Sequence, residues 1–242
     1  MRIKMTVAYD GTNYYGFQHQ PSYINIEDEL VKAIQRIDGK VEKIVGSGRT
    51  DRYVHARGQV IHFDSEKKIE PYKWVMAVNT FLPEDIRILS CEYVSDDFHA
   101  RYSVKSKEYH YHLRLNNDDL FSRNYTDYAL NLNLDLMEKS LKKLEGKHDF
   151  KGFCSAQIHE EKGTIKEIYQ IKMERLKDMV IIKFLGDGFL KYQIRKMMGT
   201  VIDIASGKKD ISIIDEIFET CNPELTNRVL KGHGLYLMEV NY

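Results

Sequence analysis

The sequence contains few cysteines, and their spacing does not suggest a disulfide framework or a metal site. Cys91, Cys154 and Cys221 are the only three in 242 residues, and no CxxC motif occurs. Disulfide-stabilised secreted domains and zinc modules need more cysteines at closer spacing. This composition therefore argues against both classes and fits the reducing environment of the cytoplasm.

Long hydrophobic runs and proline-rich segments are also missing. No stretch approaches the roughly 18 consecutive apolar residues that cross a bilayer. The first residues, MRIKMTVAYDG, lack the apolar core and cleavage site of a signal peptide. Only four prolines occur, so we expect no long proline-rich linker. We therefore expect neither a membrane partner nor a secretory leader.

The chain has no excess of charge of either sign. Lys plus Arg and Asp plus Glu both number 36, which argues against a protein that coats nucleic acid over its whole surface. Hydrophobic residues make up 43% and charged residues 30%, a composition typical of globular proteins. At roughly 150 residues per domain, the length fits one large domain or two small ones.

Hydrophobic periodicity divides the first half of the chain into alternating strands and helices. Asn25 stands where a helix N-cap is expected, and Gly39 follows the last residue of that helical pattern. The predicted elements are a strand at 2–9, a helix at 26–37, a strand at 59–63, a helix at 72–82 closed by Pro83, and a strand at 85–94.

The second half repeats this order of elements. The predicted elements are a strand at 107–115, a helix from Leu134 to Leu144 ended by Gly146, a loop at 147–156, two strands within 163–188 that join at Lys177 and Asp178, a helix from Leu190 stopped by Gly207, and a strand at 234–242. We interpret the chain as a pseudo-duplicated α+β protein. Two ferredoxin-like (RRM-like) halves, at 1–104 and 105–242, are expected to form one mixed or antiparallel sheet with helices on one face and a central cleft.

The stretch GSGRTDRYVHARGQVIHF, at 46–63, places a carboxylate between two cations on a glycine-rich turn. Asp51 lies between Arg49 and Arg52, directly before a strand. A turn aspartate often does no more than accept hydrogen bonds from nearby backbone N–H groups. If either guanidinium faces it, Asp51 stays ionised. An ionised carboxylate in a cleft is a candidate nucleophile, general base or metal ligand.

The histidines provide little support for a metal site. Nine are present, but they form no HxxxH or HExxH motif. His110 and His112 lie two residues apart and so share one face of a predicted strand, where a half-exposed pair is more common than a ligand pair. We expect no metal and no other cofactor, although a metal-dependent hydrolase remains an alternative at this stage.

Two segments combine basic and aromatic residues. Basic side chains bind phosphates, and aromatic faces stack on unpaired bases, so both segments are candidate RNA-binding elements. The alternatives are an edge strand protected by charge and a helix with a solvated basic face. Tyr109 and Tyr111 share one face of the first segment, so that one can reach a cleft while the other packs. The basic residues are Arg101, Lys105, Lys107 and Arg114 in the segment at 98–115, and Lys191, Arg195 and Lys196 in the segment at 189–199.

Five ordered segments, covering nearly the whole chain, resemble the tRNA pseudouridine synthase A (TruA) family. GSGRTDRYVHARGQVIHF is similar to the catalytic stretch of that family. The others are YDGTNYYGFQHQ at 9–20, FHARYSVKSKEYHY at 98–111, GKHDFKGFC at 146–154, and GFLKYQIRKMMGT at 188–200 with the C-terminal GHGLYLMEVNY. The resemblance implies the pseudouridine synthase fold and an isomerase that acts on RNA.

The resemblance also implies roles for individual residues. Asp51 matches the catalytic aspartate, and Arg49 matches an arginine that helps to extrude the target nucleotide. Tyr109 matches a tyrosine that stacks on the uracil and is a candidate for assisting proton transfer. Arg195 matches the arginine that pairs with the catalytic carboxylate. The remaining candidate RNA-binding residues are Arg52, Tyr53, His99, Arg101, Lys107 and Lys196.

Members of the family convert uridine to pseudouridine in the anticodon stem-loop of tRNA. They use no cofactor or essential metal, and they are homodimers whose tRNA lies across both subunits. The resemblance therefore implies tRNA and a second copy of the chain as partners, with neither DNA nor a membrane among them. The carboxylate acts by attacking the sugar or the ring, or by removing a sugar proton.

The chain departs from the family pattern directly after the catalytic aspartate. The family reads RTDAGVHA, whereas this chain has Arg52 and Tyr53 in place of a small residue and a glycine. Gln193 replaces a family methionine, and RVLKGHGLYL lacks the Pro-Ala run of the family. Two alternatives follow. The chain is a paralogue that modifies another structured RNA, such as ribosomal RNA, or an RNA-binding protein that has lost catalysis.

Overall fold

The computed structural model describes residues 1–155 and 163–242 and contains two compact units. The first comprises Met1–Lys105 with Tyr236–Tyr242, and the second comprises Ser106–Leu235. The C-terminal strand, which we assigned from sequence to the second half, thus clusters with the first unit. Which strands pair depends on contacts between residues far apart in the sequence, and local hydrophobic periodicity does not predict those contacts.

The first unit is built from a ferredoxin-like order of elements. These are β1 (Arg2–Tyr9), α1 (Ile26–Gln35), β2 (Val45–Gly46), β3 (His55–Asp64), α2 (Pro71–Phe81) and β4 (Ile86–Val94). β1 lies between β3 and β4 and is antiparallel to both, and β2 pairs with β3. The strand order is therefore β4-β1-β3-β2, with β1 central.

Local chemistry explains why these elements form where the sequence predicts them. Alternate residues of β1 are buried, as expected for a strand with one face on the core. The Asn25 side chain accepts a hydrogen bond from the Asp28 N–H and so caps α1. α1 ends at Gln35, four residues before Gly39, the stop expected from the sequence.

The second unit repeats the same arrangement. Its elements are β5 (Ser106–Arg114), β6 (Asp127–Tyr128), α3 (Leu134–Lys142), β7 (Gly146–Asp149), β8 (Ile165–Arg175), β9 (Met179–Gly186), α4 (Gln193–Ala205) and α5 (Ile213–Thr220). β9 lies between β5 and β8 and is antiparallel to both, as β3 lies between β1 and β2 in the first unit. The order of strand, helix, two antiparallel strands and helix thus occurs in both units, and the second adds the short strands β6 and β7 and helix α5.

The last strand, β10 (Leu235–Asn241), pairs in parallel with β3 in the first unit, and β6 pairs in parallel with β5 in the second. Each unit therefore contains a mixed sheet, and the α+β class predicted from periodicity is confirmed. Within residues 1–155 and 163–242, no helix is long and apolar enough to cross a membrane.

The structure corrects two details of the predicted elements. The segment at 147–156, predicted as a loop, begins in β7 and continues as a short 3-10 turn at Phe150–Phe153, and Ala156 lies outside the described residues. Helix α5 was missed, although Ile213, Ile214 and Ile217 recur at helical spacing. Its position is stabilised by Phe218, whose ring stacks on His148 with centroids 4.2 Å apart.

A buried histidine in β3 connects the sheet of the first unit to the loop after β4. His62 is 4% exposed, and its Nδ1 accepts a hydrogen bond from the Ala100 N–H at 3.1 Å. Burial, with a smaller contribution from the charge of Arg2, lowers the pKa of His62 to about 4. The native state therefore requires the neutral ring.

Acidification is expected to weaken the first unit through His62. Because its pKa falls from about 6.5 in the unfolded chain to about 4 in the native state, its contribution to stability is complete above pH 6.5 and is lost as the pH falls towards 4. We expect a loss of about 1 to 2 kcal/mol between pH 7 and pH 5. In urea unfolding at both pH values, His62→Gln, which keeps an acceptor but does not titrate, should show a smaller loss. An equal loss in both proteins would contradict this role.

Candidate active site

Asp51 lies on the loop between β2 and β3, and the main chain holds this loop at both ends. The Phe17 N–H donates to the Thr50 carbonyl at 3.1 Å, and the Val54 N–H donates to the Asp51 carbonyl at 3.1 Å. On the β2 side, the buried Gln59 amide donates to the Gly48 carbonyl at 3.0 Å. The loop is thus held by main-chain hydrogen bonds and by a hydrogen bond from a buried side chain.

Two glycines of the YDGTNYYG motif allow the Asp51 loop to approach the segment after β1. Gly16 has φ +99°, and a Cβ there would lie 2.7 Å from the Thr50 carbonyl oxygen. At Gly11, a Cβ would lie 2.2 Å from the Val54 carbonyl oxygen. Neither distance is compatible with a side chain, so this motif forms the support of the Asp51 loop.

A buried hydroxyl pair anchors the residue before Asp51. The Tyr9 hydroxyl and Thr50 Oγ1 are 2.8 Å apart, and both residues are buried. Burial raises the pKa of Tyr9 to about 12, so its hydroxyl keeps its proton at neutral pH. This contact ties the loop to the end of β1. Sequence reasoning missed Tyr9, Gly11 and Gly16 as site residues, although all three lie in the YDGTNYYG motif.

The arginines beside Asp51 do not pair with its carboxylate. Asp51 is half-buried, whereas Arg49 and Arg52 are exposed. In the part of the chain that the structure describes, neither guanidinium forms an ion pair. The condition considered from the sequence, that one of these two guanidinium groups faces Asp51, is therefore not met by an ion pair, and the pairing with Arg195 that the resemblance implies stays a prediction.

Arg52 contacts aromatic rings instead. Its guanidinium carbon lies 3.9 Å from the ring centroid of Tyr15 and 4.3 Å from that of Tyr53. The ring of Tyr15 in turn stacks on Tyr23, with centroids 4.2 Å apart. We call Arg52, Tyr53, Tyr15 and Tyr23 the Arg52 platform.

Tyr53 adopts the left-handed conformation that favours glycine, with φ 68°. For a residue with a Cβ this conformation costs about 1 to 2 kcal/mol. A cation–π contact at an exposed site contributes about 0.5 to 1 kcal/mol. The contact of Tyr53 with Arg52 therefore offsets a substantial part of the backbone strain.

The loop after β4 carries the two other candidate residues of the first unit. The Nδ1 of His99 accepts hydrogen bonds from the N–H groups of Arg101 and Tyr102, at 3.1 and 3.2 Å. The ring of His99 also packs tilted on Tyr102, with centroids 4.3 Å apart. His99 thus shapes this turn, and Arg101 is exposed beside it, with its guanidinium carbon 5.7 Å from the Tyr102 ring centroid.

In the second unit, β5 carries Lys107, Tyr109 and Tyr111. Lys107 is half-buried, and Tyr109 is 8% exposed with its ring edge-on to Phe189, 5.3 Å between centroids. Tyr111 is fully buried, and its hydroxyl lies 3.1 Å from the Asp127 carboxylate and 3.0 Å from the Lys231 carbonyl oxygen, two acceptors that share its one proton. Tyr109 and Tyr111 are both buried, so the division of roles between them stays a prediction.

Helix α4 presents Arg195 and buries Lys196. The Arg195 Nε donates to the Leu230 carbonyl at 2.7 Å, and its guanidinium lies 5.0 Å from the ring of Tyr192, which itself has φ 67°. Lys196 is 8% exposed, and its ammonium contacts the Thr226 hydroxyl at 3.1 Å. α4 is therefore not a helix with a solvated basic face, the alternative to an RNA-binding element. The buried position of Lys196 favours a structural role over the predicted RNA contact.

The histidine pair of β5 is engaged locally. His110 Nε2 lies 2.6 Å from the Glu108 carboxylate, and the rings of His110 and His112 are 6.4 Å apart. Across the described residues, no group of three or more His, Cys, Asp or Glu side chains is arranged to hold a metal ion.

The candidate residues divide between the two units. The first unit contains Arg49, Asp51, Arg52 and Tyr53 on one loop, and His99 and Arg101 on another; the second contains Lys107, Tyr109, Arg195 and Lys196. Chemically, the Asp51 loop offers a half-buried carboxylate with exposed cations beside it. Such a carboxylate can act as a nucleophile or a general base, and the cations can bind an anionic substrate.

Comparison with known proteins identifies the family of the chain. The family model described as tRNA pseudouridine synthase matches residues 5–103 and 141–242. This chain is 42% identical to tRNA pseudouridine synthase A 1 of Bacillus cereus over 244 residues, which cover all of this chain and 98% of the relative. The chain belongs to the tRNA pseudouridine synthase family.

Two further relatives extend this result. tRNA pseudouridine synthase A of an Exiguobacterium species and that of Oceanobacillus iheyensis are each 40% identical, with all of this chain covered and 98% and 96% of the relatives. As a member of the tRNA pseudouridine synthase family that spans almost the full length of these relatives, the chain is an isomerase of the pseudouridine synthase kind, as the resemblance implied.

Proposed function

We propose that this protein converts uridine to pseudouridine in the anticodon arm of tRNA and that Asp51 is its catalytic residue. The observation that carries the proposal is the full-length match to tRNA pseudouridine synthase A of Bacillus cereus, with 42% identity. The supported Asp51 loop agrees with it, because a catalytic carboxylate must be held in a defined position.

The reaction requires an isomerisation at carbon and no redox step. The bond between N1 of the uracil and C1′ of the ribose breaks, and a bond between C5 and C1′ forms. C5 loses its proton and N1 gains one, so atoms and electrons balance within the nucleotide. Asp51 supplies the carboxylate for this step, and Arg195 is the cation proposed to keep that carboxylate ionised.

The target uridine must leave the helical stack before it reacts. Extrusion of a base costs a few kcal/mol. Arg49, exposed and two residues before Asp51, is the side chain proposed to hold the extruded strand. Tyr109 is the ring proposed to stack on the flipped uracil, since aromatic faces bind unpaired bases.

Replacing Tyr109 by phenylalanine is expected to keep part of the stacking and to lose most of the rate. The phenolic hydroxyl is the group proposed to assist proton transfer, and such groups contribute about 100-fold or more. We expect kcat to fall by at least about tenfold with little change in KM, measured by tritium release from tRNA labelled at uridine C5. An unchanged kcat would limit Tyr109 to packing.

Tyr111→Phe is the matched control on the same face of β5. It removes a hydroxyl that donates to the buried Asp127 carboxylate at 3.1 Å, so we expect a loss of about 1 to 3 kcal/mol in unfolding free energy. The rate of the folded variant should stay near that of the wild type. A stability loss for Tyr111→Phe and a rate loss for Tyr109→Phe would separate packing from chemistry.

The resemblance also supports a homodimer of the 28.4 kDa chain, with tRNA contacting both copies, and a cytoplasmic location. Exposed arginines on the Asp51 loop supply local positive charge that the balanced total of 36 cations and 36 anions does not. Local charge of this kind attracts RNA phosphates.

Mapping of pseudouridine in total RNA from cells with and without this protein tests the proposal. Carbodiimide labels pseudouridine and stops reverse transcription at the modified position. Loss of the signal in tRNA anticodon arms supports the proposal. Loss in ribosomal RNA would favour the paralogue that modifies another structured RNA, and no change would favour an RNA-binding protein without activity.

A further inference from the structure

The arginine of the Arg52 platform contacts aromatic rings, whereas several other arginines of the described chain pair with carboxylates. Arg2 pairs with Asp64, Arg175 with Asp135 and Glu138, and Arg228 with Asp203. Arg52 instead lies over the rings of Tyr15 and Tyr53, at 3.9 and 4.3 Å. In the described part of the chain, no acceptor takes a hydrogen bond from its guanidinium.

Ring contacts of this kind position a guanidinium without satisfying its N–H donors. The faces of the two rings limit the freedom of the Arg52 side chain, which otherwise loses much entropy when it binds. Its planar fork of N–H groups remains available to an acceptor such as phosphate. A cation that is held in place but left without an acceptor is arranged for an anionic partner outside the chain.

The backbone of Tyr53 supports the same conclusion. With φ 68°, this residue stands where a glycine would be less strained, and its ring lies against the Arg52 guanidinium. Strained residues concentrate at binding sites, which agrees with a role for this ring in holding Arg52.

We propose that the Arg52 platform binds a backbone phosphate of the RNA strand next to the target uridine and thereby contributes to the affinity and positioning of the RNA. This inference rests on the proposed function, since Arg52 directly follows the catalytic Asp51. Phosphate is the favoured ligand because the fork of N–H groups matches its oxygens and its charge is present at every nucleotide. The platform is thus a contact for affinity and positioning, separate from the catalytic carboxylate.

The salt dependence of RNA binding tests this proposal. Binding to a tRNA anticodon stem-loop is measured at several salt concentrations in an Asp51→Asn background, which prevents turnover. Loss of one phosphate contact lowers the slope of log Kobs against log salt by about 0.7 to 0.9. We expect this change, with affinity about 10- to 100-fold weaker, for Arg52→Ala. An unchanged slope and affinity would overturn the proposal.

Arg36→Ala is the matched control for charge. Arg36 is an exposed arginine at the C-terminal end of α1, so the ten-residue helix, about 15 Å long, separates it from the end next to Tyr23. Its removal changes the net charge as Arg52→Ala does but leaves the platform intact. If Arg36→Ala and Arg52→Ala change the salt slope and the affinity equally, Arg52 contributes only to the overall charge, and the proposal of a specific contact is overturned.

Tyr53→Gly distinguishes the contribution of the Tyr53 ring to RNA binding from the strain of its backbone. It relieves the left-handed conformation and removes one wall of the platform, so we expect unchanged or higher thermal stability together with a severalfold higher KM for tRNA. Asn131→Gly, at another exposed residue with positive φ (56°), relieves similar strain and should leave KM unchanged. A Tyr53→Gly enzyme with wild-type KM would contradict a role for the ring.

Substrate sequence distinguishes phosphate from a base as the partner. A phosphate contact predicts that Arg52→Ala weakens binding by the same factor for stem-loops of different sequence. A loss confined to stem-loops with guanine beside the target would overturn the phosphate assignment, because arginine also recognises the O6 and N7 edge of guanine. If wild-type enzyme forms no pseudouridine in tRNA, the proposed function fails, and the effect of Arg52→Ala on binding remains a separate result.

Discussion

Replacing Asp51 by asparagine is expected to abolish pseudouridine formation and to leave the fold and RNA binding intact. The amide has nearly the shape of the carboxylate but neither its charge nor its basicity, so it does not act as a nucleophile or as a general base. We expect kcat to fall by about 1,000-fold or more. Asp51→Ala should give the same result.

The structure indicates why a loss of activity in Asp51→Asn would come from the missing carboxylate and not from a distorted loop. The loop is held through the main chain by bonds from Phe17 to Thr50 and from Val54 to Asp51, which the substitution leaves unchanged. We therefore expect the variant to keep the backbone conformation of the loop.

Turnover of Asp51→Asn is measured by tritium release from tRNA labelled at uridine C5, and binding by filter retention. Glu66→Gln is the control, because Glu66 is an exposed carboxylate of the same unit that pairs with Lys40 and lies outside the Asp51 loop. This variant should react at the wild-type rate. If Asp51→Asn keeps more than a tenth of wild-type kcat, Asp51 is not the catalytic carboxylate.

Gly16→Ala, which adds a single methyl group, is expected to reduce turnover by about 100-fold. A displacement of a catalytic group by about 1 Å has an effect of that size. An alanine Cβ would lie 2.7 Å from the Thr50 carbonyl oxygen, so the Asp51 loop must shift. The backbone at Gly16 has φ +99°, which alanine adopts only with strain. Both effects act on the residues that hold the carboxylate.

Gly39→Ala provides the matched control for Gly16→Ala. Gly39 lies after α1, and its nearest neighbour to an added Cβ is the Gln35 carbonyl oxygen at 4.0 Å. We expect wild-type turnover for this variant, with thermal melting followed by circular dichroism for both proteins. Wild-type kcat in a folded Gly16→Ala protein would show that the close approach of the two loops is not needed for catalysis.

Much of the fold could be predicted because it depends on local patterns. Alternation in β1, the Asn25 cap of α1 and Pro83 after α2 all act within a few residues. Helix α5 and strand β7 were missed because each is short and is stabilised by packing, as between Phe218 and His148. The membership of the last strand was missed because its pairing with β3 spans most of the chain.

The sequence by itself determined the α+β class, the repeated order of elements, the family and Asp51 as the candidate catalytic residue. Those conclusions rest on periodicity and on motifs, both of which are local features of the sequence. Only the tertiary structure decided that Lys196 is buried, that Arg52 lies over Tyr15 and that Tyr53 has a positive φ. Burial and ring contacts join residues far apart in the chain, and a backbone angle depends on the packing around it. The two residues that depart from the family pattern, Arg52 and Tyr53, are therefore understood as a structural unit only in the folded protein.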